Sequence, residues 1–141
     1  LDRKKLAQVI FNDPDKKKIL ENILHPKVFA FEKYQYINIC KINPNALVIV
    51  DAALLIESGN YKNMDKVVVV KTDEKNQMER NLARGGWRKD EIIRRINNQM
   101  SSKEKKRYAD FILDNSSDKR HLRNQVEGLY SKLTILAGKY H

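Results

Sequence analysis

Two short, unbroken β-branched runs constrain this chain more than anything else in it: Ala46-Leu47-Val48-Ile49-Val50, ending at Asp51, and Lys66-Val67-Val68-Val69-Val70. Apolar runs of this length without polar alternation read as strands covered on both faces, as in a parallel sheet. A third, shorter run follows at Ala109-Asp110-Phe111-Ile112-Leu113. Between the second and third, Asp73 caps a long helical pattern through Met78 to Arg84. After the third, Asn115-Ser116-Ser117-Asp118 leads into an amphipathic helix with Leu122, Val126, Leu129 and Leu133. Strands alternating with helices predict an α/β fold, a parallel sheet flanked by helices on both faces.

The first 45 residues carry a different period. Asp2 can cap a helix that sets Leu6, Val9 and Ile10 on one face, ended by the turn Asn12-Asp13-Pro14. Pro14 suits the first turn of a second helix, whose Ile19, Leu20, Ile23 and Leu24 form a stripe spaced for burial. His25-Pro26 is expected to break it, and a third helix is expected from Pro26 to about Cys40. The turn Asn43-Pro44-Asn45 then separates a helical part, 1–45, from a sheet core, 46–141, within one domain.

At 141 residues, with 41% apolar and 33% charged side chains, the composition is that of a globular domain. The longest apolar runs are far shorter than the roughly 20 residues needed to cross a bilayer as a helix. The single cysteine, Cys40, excludes an internal disulfide and a multi-cysteine zinc site, and points to a reducing compartment. A formal charge of +10 attracts polyphosphates, nucleic acid or anionic surfaces alike. The opening Leu1-Asp2-Arg3-Lys4-Lys5 has neither an apolar leader core nor a methionine, which leads us to expect a preceding segment.

In open parallel sheets ligands bind beyond the carboxyl ends of the strands. Two roles fit Asp51 there: ordering a magnesium ion through water, or closing a turn. Glu57 can accept hydrogen bonds from a substrate or cap Ser58-Gly59. From Gln77 to Gln99 the arginines Arg80, Arg84, Arg88, Arg94 and Arg95 surround a Gly85-Gly86 break between two helical patterns. Arg80 and Arg84 share a helix face, and the glycines supply a hinge, the layout of a lid that closes cations over a phosphoryl group. A helical hairpin with ordinary surface arginines has the same pattern. His25, His121 and His141 lack the spacing of a zinc site or a triad. Neither a Gly-x-x-x-x-Gly-Lys-Ser/Thr loop nor a Gly-x-Gly-x-x-Gly loop occurs anywhere in the chain.

Taken in order, several stretches resemble the dephospho-coenzyme A kinase family of P-loop kinases. They are Leu1 to Ala7 with Phe11, Leu24-His25-Pro26, Val50 to Gly59, Asp65 with its strand, the series Gln77, Arg80, Arg84, Arg95-Ile96, Gln99, and Lys105 to Asn115. The resemblance spans essentially the whole chain. It implies transfer of the ATP γ-phosphoryl group to the ribose 3′-hydroxyl of dephospho-coenzyme A, with Mg2+, in a cytoplasmic enzyme whose partner is that substrate and not nucleic acid or a membrane. It also implies a helical lid over about 84–107 with Arg80, Arg84 and Arg95 as catalytic residues. Leu54, Leu55, Glu57 and Gln99 would serve the acceptor, Asn115 the adenine loop, Asp51 a water-mediated metal contact, and residues 1–45 a helical cradle for the acceptor. The family's phosphate loop, its central strand and an acidic segment with the proposed catalytic aspartate would all precede Leu1.

Two positions depart from the family pattern: Ala53 stands where proline is usual, and Gly85 where an acidic residue is usual. The first can loosen the turn presenting Leu54, Leu55 and Glu57, and the second can free the lid hinge. Two other readings compete, a nucleoside monophosphate kinase-like enzyme and a non-catalytic basic domain that binds nucleic acid through its arginine-rich helices.

Overall fold

The computed structural model describes residues 2–11 and 13–138. Leu1, Asn12 and His141 lie outside the described residues, as do the side chains of Arg3, Lys4 and Phe11. The described chain divides into two compact units, Leu1–Val48 and Ile49–His141.

The first unit holds two helices, α1 (Arg3–Phe11) and α2 (Pro14–Ile42). Asp2 accepts from the Lys5 N–H at 3.1 Å, and Asp13 accepts from the Asp15 and Lys16 N–H groups at 3.1 and 3.0 Å. Each carboxylate thus satisfies amides that a helix start leaves without partners. The expected break at His25-Pro26 does not occur, because α2 runs straight through Pro26. Proline removes one N–H from the ladder, but helical turns on both sides hold the run together, and the His25 ring stacks on Phe29 at 5.7 Å across the proline. The expected burial of Ile19, Ile23 and Leu24 is not found either; all three are exposed, and α2 buries no residue. Asn43 closes the helix by donating its N–H to the Ile39 carbonyl at 2.9 Å.

The second unit contains the sheet. Strands β1 (Val68–Lys71) and β2 (Phe111–Asp114) pair in parallel, with Val68 opposite Phe111 and Lys71 opposite Asp114. Both lie close to the predicted runs. The remaining predicted strand, Ala46–Val50, is not formed. A strand exists by pairing its backbone groups with a neighbour, and among the described residues the sheet contains only β1 and β2; Ile49 is left 77% exposed. Parallel strands need a long crossover, here α3 (Glu74–Arg84), α4 (Lys89–Asn97) and the short α5 (Ser102–Lys105), and α6 (Lys119–Ala137) follows β2. Among the described residues no helix is long and apolar enough to cross a membrane.

Ile56, Val67 and Val69 form the buried core, with Tyr61, Met64, Met100 and Ala109 packed against them. Ile92 of α4 is buried separately. Asp110 opens the sheet by accepting the Val67 N–H at 2.8 Å while its own N–H donates to the Val67 carbonyl at 2.9 Å. At the far end of β2 the side-chain amide of Gln125 from α6 engages Asp114 twice: its oxygen accepts the Asp114 N–H at 2.9 Å and its nitrogen donates to the Asp114 carbonyl at 2.9 Å.

Candidate active site

The carboxyl ends of β1 and β2 converge on one carbonyl. The Asn115 oxygen accepts from Thr72 Oγ1 at 3.2 Å and from Arg80 Nη1 at 2.8 Å. The Asn115 N–H donates to the Lys71 carbonyl at 2.8 Å, and Asn76 Nδ2 donates to the Ser116 carbonyl at 3.1 Å. Asp73 fixes the start of α3 by accepting the Asn76 N–H at 2.7 Å. Two of the residues singled out in the sequence, Arg80 and Asn115, are therefore in direct contact at the end of the sheet where ligands bind in parallel folds. Beside them Lys71 and Asp114 form an ion pair across the two strands. The Lys71 ammonium holds the Asp114 carboxyl well below the usual carboxylate range, helped by the Ser116 N–H.

The other arginines of the α3–α4 hairpin have separate fates. Asp90 takes two of them, Arg94 Nη2 at 2.6 Å and Arg88 Nε at 3.2 Å, and its carboxyl is held low chiefly by the Arg94 hydrogen bond. The Arg95 guanidinium carbon lies over the Trp87 ring, 3.4 Å from its centroid. Arg84, in the last turn of α3, is exposed and has no hydrogen bond or ion pair through its side chain among the described residues. A guanidinium without a carboxylate partner keeps its full charge for an anion. Gly85 and Gly86 follow with φ of 70° and 80°. A Cβ at either would meet nothing within 4 Å, so their need for glycine is conformational and not steric. Gln77, Asn81, Trp87, Arg95 and Gln99 help to line a cleft of about 210 Å³ between the two helices.

Glu57 lies in the turn that follows Asp51. It does not cap Ser58-Gly59 as one reading had it; its Oε1 instead accepts the Met100 N–H at 2.9 Å and pairs with Lys105 Nζ at 3.0 Å. Lys105 also donates to the Ala53 carbonyl at 2.9 Å. With side chains only 17% and 21% exposed, this pair is better shielded than Lys66–Asp110 at 34% and 37%. Burial pushes the Glu57 carboxyl up, but the bonds from Lys105 and the Met100 N–H outweigh it and hold the group below its ordinary value. Leu54 is 41% exposed and Leu55 half-buried beside it.

Asp51 is exposed and makes no hydrogen bond or ion pair among the described residues. No group of three or more possible metal ligands occurs among the described residues either. Mg2+ keeps several of its waters and leans on one or two carboxylates plus substrate phosphates. A single unpaired carboxylate suits a water-mediated contact of that kind and not a protein-built cage.

Sequence reasoning missed Trp87 and the Lys105 partner of Glu57. The only signal for Trp87 was an aromatic directly after a glycine pair. Its contact with Arg95 crosses a turn that no helical period reveals.

Comparison with known proteins sets these features in a family. The family described as dephospho-CoA kinase matches residues 1–121. A relative of that name from Aquifex aeolicus is 38% identical over 135 residues, covering 95% of this chain and 66% of the relative. One from Sulfurimonas denitrificans is 36% identical over 133 residues, 94% of this chain and 65% of the relative. The chain thus spans about two thirds or less of the length of these curated relatives. Among solved structures, one from Thermus thermophilus superposes with a TM-score of 0.76 at 28% identity, covering 94% of this chain and 68% of that one. A dephospho-CoA kinase from Campylobacter jejuni gives 0.65 at 31% identity, covering 95% and 66%.

Proposed function

This chain belongs to the dephospho-CoA kinase family, and from that premise we propose that the full-length protein transfers the γ-phosphoryl group of ATP to the ribose 3′-hydroxyl of dephospho-CoA, giving CoA and ADP. The single observation that carries this reading is the family match over residues 1–121, which includes the whole arginine-bearing hairpin. The nucleoside monophosphate kinase and nucleic-acid-binding readings have no comparable support.

In the reaction the 3′-oxygen attacks the γ-phosphorus as the bond to the β-phosphate oxygen breaks, and negative charge spreads over the transferring group. Arg84, unpaired and exposed at the hinge, answers that charge directly. Arg80 ties α3 to the proposed adenine loop through the Asn115 carbonyl. Arg95 contributes a second cation from α4. The Glu57–Lys105 bond holds the turn bearing Leu54 and Leu55, which we assign to the acceptor together with Gln99, and we assign residues 1–45 to its cradle. When bound, Mg2+ neutralises phosphate charge, and Asp51 would meet it through water. ATP is the phosphoryl donor, and a cytoplasmic site of action accords with a lone cysteine.

The test is phosphoryl transfer by the full-length protein, with products identified by mass. Formation of CoA from dephospho-CoA, with nucleoside monophosphates left untouched, is expected. Transfer to nucleoside monophosphates, or none to any acceptor from folded protein, would overturn the reading.

A further inference from the structure

Asp114, Asn115 and Ser116 carry the chain out of β2, and every main-chain N–H and C=O of these residues has a partner. Gln125 takes both groups of Asp114. The Asn115 N–H donates to the Lys71 carbonyl, and the Ser116 N–H donates to Asp114 Oδ1 at 2.9 Å. The carbonyls of Asn115 and Ser116 are met from α3 and its approach. Thr72 Oγ1 and Arg80 Nη1 donate to the first at 3.2 and 2.8 Å, and Asn76 Nδ2 donates to the second at 3.1 Å.

Thr72, Asn76 and Arg80 recur at every fourth residue from the end of β1 through α3, the spacing that aligns side chains along one helix face. All three act as donors. The loop they hold is half-buried, and none of its residues belongs to the hydrophobic core, so polar bonds and not packing set its shape. The side-chain amide of Asn115 stands apart, with no hydrogen bond among the described residues. An engaged main chain with an open side chain presents that side chain to a ligand, and it does so at the carboxyl end of a parallel sheet, where ligands bind.

We propose that Thr72 and Asn76 are positioning residues for the ATP side of phosphoryl transfer: by capping the carbonyls of Asn115 and Ser116 they hold the Asn115 carboxamide where the nucleotide meets it. This rests on the reading of function above. Neither residue touches the reacting atoms; both act through Asn115. A nucleotide that finds the loop already shaped loses no binding energy to ordering it.

The experiment uses the full-length protein and begins with wild-type transfer to dephospho-CoA, whose absence would remove the reading of function itself. ATP affinity is measured alongside by calorimetry, with no acceptor present. Thr72→Val keeps the shape of the side chain and removes its hydroxyl. It is expected to weaken ATP binding and raise KM for ATP by about two- to tenfold, the range of one neutral hydrogen bond, with kcat and KM for dephospho-CoA unchanged. Thr72→Ser keeps the hydroxyl and should restore wild-type values, and Asn76→Leu should repeat the Thr72→Val pattern. Added to Asn115→Ala, Thr72→Val should cost nothing further in ATP affinity, because the hydroxyl acts only through that residue. Wild-type ATP affinity in either Thr72→Val or Asn76→Leu, equal defects in the Val and Ser variants, a fall in kcat in step with the affinity, or additivity with Asn115→Ala would each overturn the proposal.

Discussion

Replacing Glu57 with glutamine tests whether one shielded carboxylate braces the acceptor turn. In the native protein Oε1 takes two donors, the Met100 N–H at 2.9 Å and Lys105 Nζ at 3.0 Å. Glutamine keeps an oxygen for both, but the Met100 N–H bond loses its charged acceptor and drops from about 1.5–3 kcal/mol to about 0.5–1.5 kcal/mol, while the Lys105 bond stays charge-assisted and loses only its ion-pair attraction. Allowing for residual exposure of the pair, Glu57→Gln should lower stability by about 1–2 kcal/mol at pH 7, and Glu57→Ala by about 2–3 kcal/mol. The pH dependence has a definite sign. Because the folded protein holds this carboxyl below its ordinary value, its contribution is fully present above the unfolded value of about 4.3. It is lost as pH falls through the folded value. The gap in urea midpoint between wild type and Glu57→Gln, measured on the full-length protein from pH 7 down to pH 3, should therefore be constant at first and shrink in acid. A gap of zero at pH 7, or one that does not narrow in acid, would refute the brace.

Two further outcomes follow from the geometry. Arg84→Ala should lower kcat by at least about 100-fold in steady-state kinetics, since it removes the hinge cation without a carboxylate partner; an unchanged rate would take Arg84 out of the mechanism. Gln125→Ala leaves the Asp114 N–H and carbonyl without their partner and should cost about 1–3 kcal/mol. Hydrogen exchange should show it as faster exchange of the Asp114 amide, with the Val69 amide on β1 affected less.

The parts legible in the sequence are those set by local rules. Asp73 caps α3 as its position before a helical pattern predicts, and α6 begins directly after the Asn115–Asp118 segment that was expected to lead into it. The two apolar runs that found a neighbour, at Lys66–Val70 and Ala109–Leu113, became strands in parallel register. What escaped was decided by partners remote in sequence. Ala46–Val50 has the composition of a strand, but a strand is a relation between segments, and the run has none among the described residues. Pro26 has the chemistry of a helix breaker, yet one lost hydrogen bond did not outweigh a long helix. At the site, Arg80 and Asn115 were each visible as candidates, but their contact spans 35 positions, and Glu57 reaches Lys105 and Met100 across loops that no periodicity links. The clustering of arginines was visible in the sequence; only the fold separated Arg88 and Arg94, bound to Asp90, from Arg84, which has no carboxylate partner among the described residues.

The amide of Gln125 has a consequence beyond the stability of β2. In a parallel strand alternate residues present their backbone groups to opposite sides, so Ile112 and Asp114 address the flank away from β1. By occupying both groups of Asp114, one side chain imitates a neighbouring strand for a single residue and then stops, leaving an incoming segment too little ladder to grip. The flank beyond β1, at Val68 and Val70, carries no such plug among the described residues. The two flanks of the sheet therefore differ: on the β2 side the backbone groups of Asp114 are already taken, which shortens the ladder an added strand could find there.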